Sequence, residues 1–167
     1  MRVNHFMGVT DAQKDLVSVW ADLACKSDGL PRKRDLDPGV LRRHLSRISL
    51  LDLESGGVPR FRLSGSRLSA MIGMDPTGLC PSDLPKPHGD IFLLGLEQIM
   101  SRKCPVGGLV SVEVNGAGQT WLRLPLADDA GELRYVLCHD DILSEQEEGA
   151  EPPLPGAIHV ETLSKAA

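Results

Sequence analysis

Apolar positions change their spacing several times along the chain, and each change marks an element. Leu16, Val19, Trp20 and Leu23 recur at helical steps, so they make one face of an amphipathic helix. Thr10 and Gln13 have the spacing of a capping box ahead of that stripe. Ser27-Asp28-Gly29 closes it, with glycine suited to the left-handed position after a helix. The pattern predicts a helix from Asp11 to about Cys25, behind a short extension over residues 1–9. Leu30 to Pro38 is a polar connector. Asp37-Pro38 then starts a short helix carrying Val40, Leu41 and Leu45, because Asp caps a helix and Pro tolerates its first turn.

The spacing next shortens to strand period. Ile48 to Leu53 is an apolar run of strand length, and Arg60 to Ser64 alternates polar with apolar. Ser55 to Val58 between them suits a hairpin turn. Leu68, Met71 and Ile72 return to helical spacing within Gly65 to Gly73. The Pro- and Gly-rich stretch Asp75 to Gly89 reads as a loop. Asp90 caps a predicted helix from Ile91 to Arg102 with the stripe Phe92, Leu96, Ile99 and Met100. Three strands complete the pattern: Leu109 to Val114, Thr120 to Leu126 and Leu133 to Asp140, joined by turns at Asn115–Gly118 and Asp128–Glu132. After Ile142 the chain becomes acidic and proline-rich, so residues 144–167 are expected to form a mobile tail.

Tight turns make the last three strands antiparallel. With the early hairpin they close into a five-stranded antiparallel sheet, an α+β fold with helices on one face plus the N-terminal amphipathic helix. The fold is expected over residues 10–143.

Composition narrows the function classes. The 167 residues suit one domain, and aromatics are only 4%, so aliphatic side chains must fill the core. A net charge of -5 disfavours general nucleic-acid binding, which works by counterion release from basic surfaces. Cys25, Cys80, Cys104 and Cys138 are far apart and lack the close pairing of structural zinc ligands. No apolar stretch approaches the roughly 18 residues of a membrane span, and no secretory signal opens the chain. A cytoplasmic protein with reduced thiols is expected.

Several segments carry a family likeness. They are Trp20 in the first helix, the connector Leu30-Pro31-Arg32-Lys33-Arg34-Asp35-Leu36-Asp37-Pro38, and Leu50-Leu51-Asp52. Phe61-Arg62-Leu63-Ser64-Gly65, Gly73 with Gly78, Cys104-Pro105 and Leu124-Pro125-Leu126 extend the likeness over about three quarters of the chain. On these segments the chain resembles a family of small stand-alone PAS-like proteins of bacteria, mainly alphaproteobacteria. Ser66, where the family commonly has threonine, and the loop Pro85-Lys86-Pro87-His88 depart from it. The resemblance implies a PAS fold and a signalling role, with no catalytic residues and no agreed ligand.

Four groups of residues are candidates for function. Met71, Ile72, Met74, Phe92, Leu96, Ile99 and Met100 are placed to line the space between helices and sheet. That space either holds a small apolar ligand or is simply filled. Arg32, Lys33, Arg34, Arg42 and Arg43, with Arg47 nearby, either meet an acidic partner or anion or are neutralised within the fold by Asp35, Asp37 and Asp52. Leu16, Val19, Trp20 and Leu23 must be buried against the chain's own sheet or a second copy, and a two-fold homodimer is the expected assembly. His44 and Asp52 form a conceivable acid–base pair for a small enzyme with an apolar pocket. Asp52 equally suits a strand-end cap or an arginine partner.

Cys80, His88, Cys104, Cys138 and His139 have no spacing that demands a metal, and His88 is the one conceivable axial haem ligand. The sequence carries no cofactor fingerprint and leaves any cofactor unknown. The expected function is a non-catalytic sensory or adaptor module that binds a protein partner or small ligand. A small enzyme using His44 and Asp52, and a passive carrier of an apolar molecule or haem, stand as alternatives.

Overall fold

The computed structural model describes residues 6–111 and 118–143. The predicted strand Leu109–Val114 lies partly outside them, as do the turn at 115–117, the extension up to residue 5 and the tail from 144.

The first helix, α1, spans Asp11–Ser27. The Thr10 side chain accepts from the Gln13 amide, and Asp28 ends the helix in the left-handed region. The connector contains a 3-10 turn, Lys33–Asp35. The short helix α2, Pro38–Leu41, follows its Asp37 cap. Strands β1 (Ile48–Leu53) and β2 (Pro59–Ser64) form the early hairpin. Helices α3 (Ser66–Ile72), α4 (His88–Leu93) and α5 (Leu96–Arg102) fill the middle. Strands β3 (Val106–Ser111), β4 (Gly118–Ala127) and β5 (Leu133–Ile142) complete one antiparallel sheet of order β2-β1-β5-β4-β3.

Both faces of the sheet are covered. On one face Leu51, Phe61, Val136 and Cys138 pack with Leu68 and Ile72 of α3, Phe92 of α4, and Leu96 and Ile99 of α5. On the other, Leu16, Val17 and Trp20 of α1 pack with Ile48, Leu50, Leu122, Leu124, Leu126 and Leu137. The alternation of β1, β4 and β5 divides their side chains between the two clusters. The indole Nε1 of Trp20 donates to the Pro125 carbonyl at 2.7 Å, which fixes α1 across the middle of β4.

Two elements differ from the pattern in the sequence. The expected helix Ile91–Arg102 is two helices, α4 and α5, because Gly95 adopts φ 78°. A Cβ at Gly95 would stand 2.7 Å from Cζ3 of Trp121, so the break lets the indole approach the backbone. β3 begins at Val106 rather than Leu109. Gly107 and Gly108 read as breakers, yet the Phe6 ring lies against Gly107 where any side chain would stand, and the pair is buried in the strand.

Candidate functional site

The sheet face under α4 and α5 carries the most unusual chemistry of the fold. Alternation turns Gln119, Trp121 and Arg123 of β4 to this side. Arg123 meets Asp140 of β5 in a fork, with Nη1 and Nη2 donating to the two carboxylate oxygens at 3.0 and 3.1 Å. Both side chains are wholly buried. Nη2 also donates to the Ile91 carbonyl at 3.0 Å, which ties α4 to the sheet. The guanidinium carbon lies 5.4 Å from the Phe92 ring centroid and 5.5 Å from that of Trp121, within cation–π range.

Desolvation opposes the guanidinium charge, but the facing carboxylate outweighs it and holds Arg123 above its ordinary pKa. Burial pushes the Asp140 carboxyl up, against the pull of Arg123. Two donors on this face, Nε1 of Trp121 and Nε of Arg123, have no hydrogen-bond partner among the described residues, whereas the Gln119 side chain reaches the Asp140 carboxylate. Buried donors normally find an acceptor, so these atoms are exceptions within a closed core.

The seven residues expected to line this space divide. Ile72, Phe92, Leu96 and Ile99 are buried in the core, with the Phe92 ring edge-on to Phe61 at 5.0 Å, and Met71 is half-buried beside them. Met74 and Met100 are 40% and 45% exposed and line no interior space. Gly73, at φ 85°, turns the chain out of α3 just before Met74. Met100 lies on the outer side of α5 near Gly57 of the β1–β2 turn.

The opposite face carries a second polar group. His44 Nε2 stands 2.8 Å from Oδ2 of Asp15 on α1, and Arg43 Nη2 stands 2.6 Å from the same oxygen. Hydrogen bonds from His44 and then Arg43 hold the Asp15 carboxyl below its usual range. The His44 ring is edge-on to His139 of β5 at 6.2 Å. Neither nitrogen of His139 has a partner. Burial, followed by the charges of His44, Arg47 and Arg123, pushes its pKa down to about 4.

This depression makes stability depend on pH. An unfolded histidine takes up a proton near pH 6.5, whereas His139 in the fold resists until about 4. Stability contributed by neutral His139 is therefore full above 6.5 and is lost as pH falls toward 4. The loss is on the order of 3 kcal/mol, because each tenfold difference in proton affinity between the folded and unfolded chain is worth about 1.4 kcal/mol. Urea unfolding midpoints between pH 7.5 and 4.5 measure it, and His139→Asn is expected to flatten the profile.

His44 and Asp52 do not converge. Asp52 sits at the far end of β1, opposite Tyr135, whereas His44 lies near the end where Ile48 pairs with His139. Four residues of strand, about 13 Å, separate these ends. Asp52 is instead clamped by Arg62 Nε at 2.9 Å and by Arg134 Nε. Arg62 and Arg134 are the extra residues at β-bulges in β2 and β5. A bulge re-aims a side chain, and here two bulges aim arginines from both flanking strands at one carboxylate.

The basic candidates separate as well. Arg32 bridges to Ala127, and the Pro31 carbonyl accepts from the Ala127 amide at 2.8 Å, which seats the connector at the end of β4. Lys33 and Arg34 thereby face the β4–β5 turn across a cleft of about 490 Å³. Lys33 Nζ stands 4.9 Å over the Tyr135 ring, and Arg34 Nη1 is 3.4 Å from Asp129. Arg43 is engaged with Asp15, Arg47 with Asp141 at 2.6 Å, and Arg42 is exposed. Of the α1 candidates, Leu16 and Trp20 are buried on the chain's own sheet, and Val19 and Leu23 flank that contact half-buried. The buried stripe is Leu16, Val17 and Trp20, one step round the helix from the expected one.

Two of the four thiols are held in the protonated form. Burial pushes Cys138 up to about 12 and raises Cys104 as well, so neither is a ready nucleophile. Among the described residues no three His, Cys, Asp or Glu side chains are grouped to hold a metal, and no helix is long and apolar enough to cross a membrane.

Several solved proteins are similar to the chain over part of its length. A light-oxygen-voltage domain from a flavin-analogue study is 11% identical, with a TM-score of 0.47 over 65% of this chain and 84% of the other. The VqmA dimer of Vibrio cholerae is 17% identical, with a TM-score of 0.49 over 64% of this chain and 50% of the other. The fungal blue-light photoreceptor Vivid in its light-state dimer is 16% identical, with a TM-score of 0.40 over 57% and 76%. No curated protein matches the chain. The profile of the PAS domain family matches residues 9–138, which include all of α1 to α5 and β1 to β4 and most of β5, and the chain belongs to that family.

Proposed function

We propose that this PAS domain is a non-catalytic sensory or adaptor module that binds a partner protein or a small ligand and passes its state to a separate protein. One observation carries the reading. The buried Arg123–Asp140 fork joins β4, β5 and the Ile91 carbonyl of α4, beside two donors, Trp121 Nε1 and Arg123 Nε, that have no partner among the described residues. A ligand with acceptor groups on this face would use those donors and pull on α4 and the sheet together. Such differential contact is what a ligand needs to shift a conformational equilibrium. Helix α1 then offers the route outward, because it rests on the other side of the same strand, β4.

The state of the reactive side chains supports the non-catalytic part: Cys138 and Cys104 are pushed toward the thiol form, and His44 and Asp52 are engaged with separate partners, Asp15 and the two arginines Arg62 and Arg134. Carriage of haem or an apolar molecule is favoured by one feature, the buried and unpartnered Nδ1 of His88.

Native mass spectrometry and an absorption spectrum of freshly purified protein test the reading, together with capture from lysate of the source organism. The expected result is a bound molecule released on unfolding, or a reproducible partner that is lost when Arg123 and Asp140 are both replaced. A protein that carries no ligand and captures no partner, or that turns over a metabolite by itself, would refute it.

A further inference from the structure

The cleft between the connector and the β4–β5 turn is independent of the sheet faces and is built from both ends of the fold. Its floor is the Tyr135 ring, its exposed apolar group is Ala130, Lys33 and Arg34 stand on one side, and Asp128 and Asp129 stand on the other. The charges around it are not equivalent. Oδ1 of Asp128 accepts from the amides of Ala130 at 2.9 Å and Glu132 at 3.0 Å and so shapes the turn. Asp35 accepts from the Arg32 amide at 3.3 Å. Asp52 is held by Arg62 and Arg134.

Asp129, whose side chain is 79% exposed, faces only the exposed Arg34. Lys33 makes no ion pair among the described residues; its ammonium is held over Tyr135. A second cation, Arg134, has its guanidinium carbon 6.0 Å from the same ring centroid. The connector thus presents one uncommitted ammonium, oriented by an aromatic ring, beside the exposed Ala130.

We propose that this cleft receives an acidic segment of a partner protein, with a carboxylate side chain on Lys33 Nζ and a neighbouring aliphatic side chain over Ala130 and the Tyr135 ring. The proposal rests on reading the domain as a binding module and names the surface and the chemistry of its partner. Aromatic support fixes the ammonium, so a carboxylate meets a cation that is already placed.

Fluorescence anisotropy with a fluorescein-labelled Glu-Glu-Leu-Glu-Glu peptide tests this, alongside a Lys-Lys-Leu-Lys-Lys control and inorganic phosphate. Amide NMR of the full chain maps the contact. The acidic peptide is expected to shift resonances of Lys33, Arg34, Ala130 and Tyr135, while the basic peptide does not bind. Lys33→Gln is expected to weaken binding roughly fivefold, the size of one exposed charge contact. Ala130→Trp, an exposed position where folding is not at stake, is expected to block the cleft and abolish binding.

Equal affinity for wild type and Lys33→Gln, shifts centred on Arg42 and Arg43, or displacement of the peptide by equimolar phosphate would each overturn the proposal. Capture of the same lysate partner by wild type and by Ala130→Trp would overturn the cleft while leaving the module reading intact. Capture of none by either would count against both.

Discussion

Asp140→Ala is expected to lower folding stability by about 3–5 kcal/mol, the cost of leaving a buried charge without its partner. Arg123 is wholly enclosed by Phe92, Trp121 and the sheet, so water has no route to replace the carboxylate. The Ile91 and Leu122 carbonyls would still accept from it, but neither carries the opposing charge. Asp140→Leu combined with Arg123→Met is expected to recover most of the loss, since well-packed apolar replacements of a buried pair are often neutral or stabilising. Urea unfolding of the two variants and wild type measures the contrast. A single variant within about 1 kcal/mol of wild type would mean that Arg123 swings out or that solvent enters, and the fork could not then couple α4 to the sheet.

Trp20→Ala is expected to cost about 3–5 kcal/mol, the usual range for an aromatic removed from a core. The indole is 8% exposed and lies among Leu124, Leu126 and the rest of α1's contact. Its hydrogen bond to the Pro125 carbonyl is lost with it. Trp20→Phe keeps most of the packing and loses only the donor, so its cost is expected near 1 kcal/mol. Hydrogen exchange should show α1 amides losing protection in Trp20→Ala before those of β4 and β5. Uniform loss across the sheet would mean that α1 has no separate stability and cannot act as a movable output.

Much of this architecture was legible in the residues. The early hairpin and β4 and β5 follow from period-two alternation bounded by turn residues, and α1 follows from its stripe and cap. The break at Gly95 was not legible, because its reason lies in Trp121, which reaches it only through the sheet. Nor was the start of β3, since Gly107 and Gly108 weaken a strand locally while Phe6, distant in sequence, covers Gly107.

The largest miss was Arg123. In Thr120–Leu126 the leucines mark one apolar face, so an arginine between them reads as solvent-facing. With α1 on one side and α4 and α5 on the other, both faces are interior, and burial follows from tertiary coverage that alternation does not encode. The anion candidates failed as a single patch for a related reason. Residues close in sequence are sorted by the connector and by α2 to partners as distant as Asp129 and Asp15.

The strand order has a consequence for synthesis. β5, last of the five to leave the ribosome, inserts between β1 and β4. Asp52 must wait for Arg134, 82 positions later, to complete its clamp. Until then the nascent chain holds two separate two-stranded ribbons whose leucine-rich flanks have no central neighbour. Such long-range closure slows folding and leaves strand margins open to other chains. The interval before β5 emerges is therefore where this protein should depend most on a ribosome-associated chaperone.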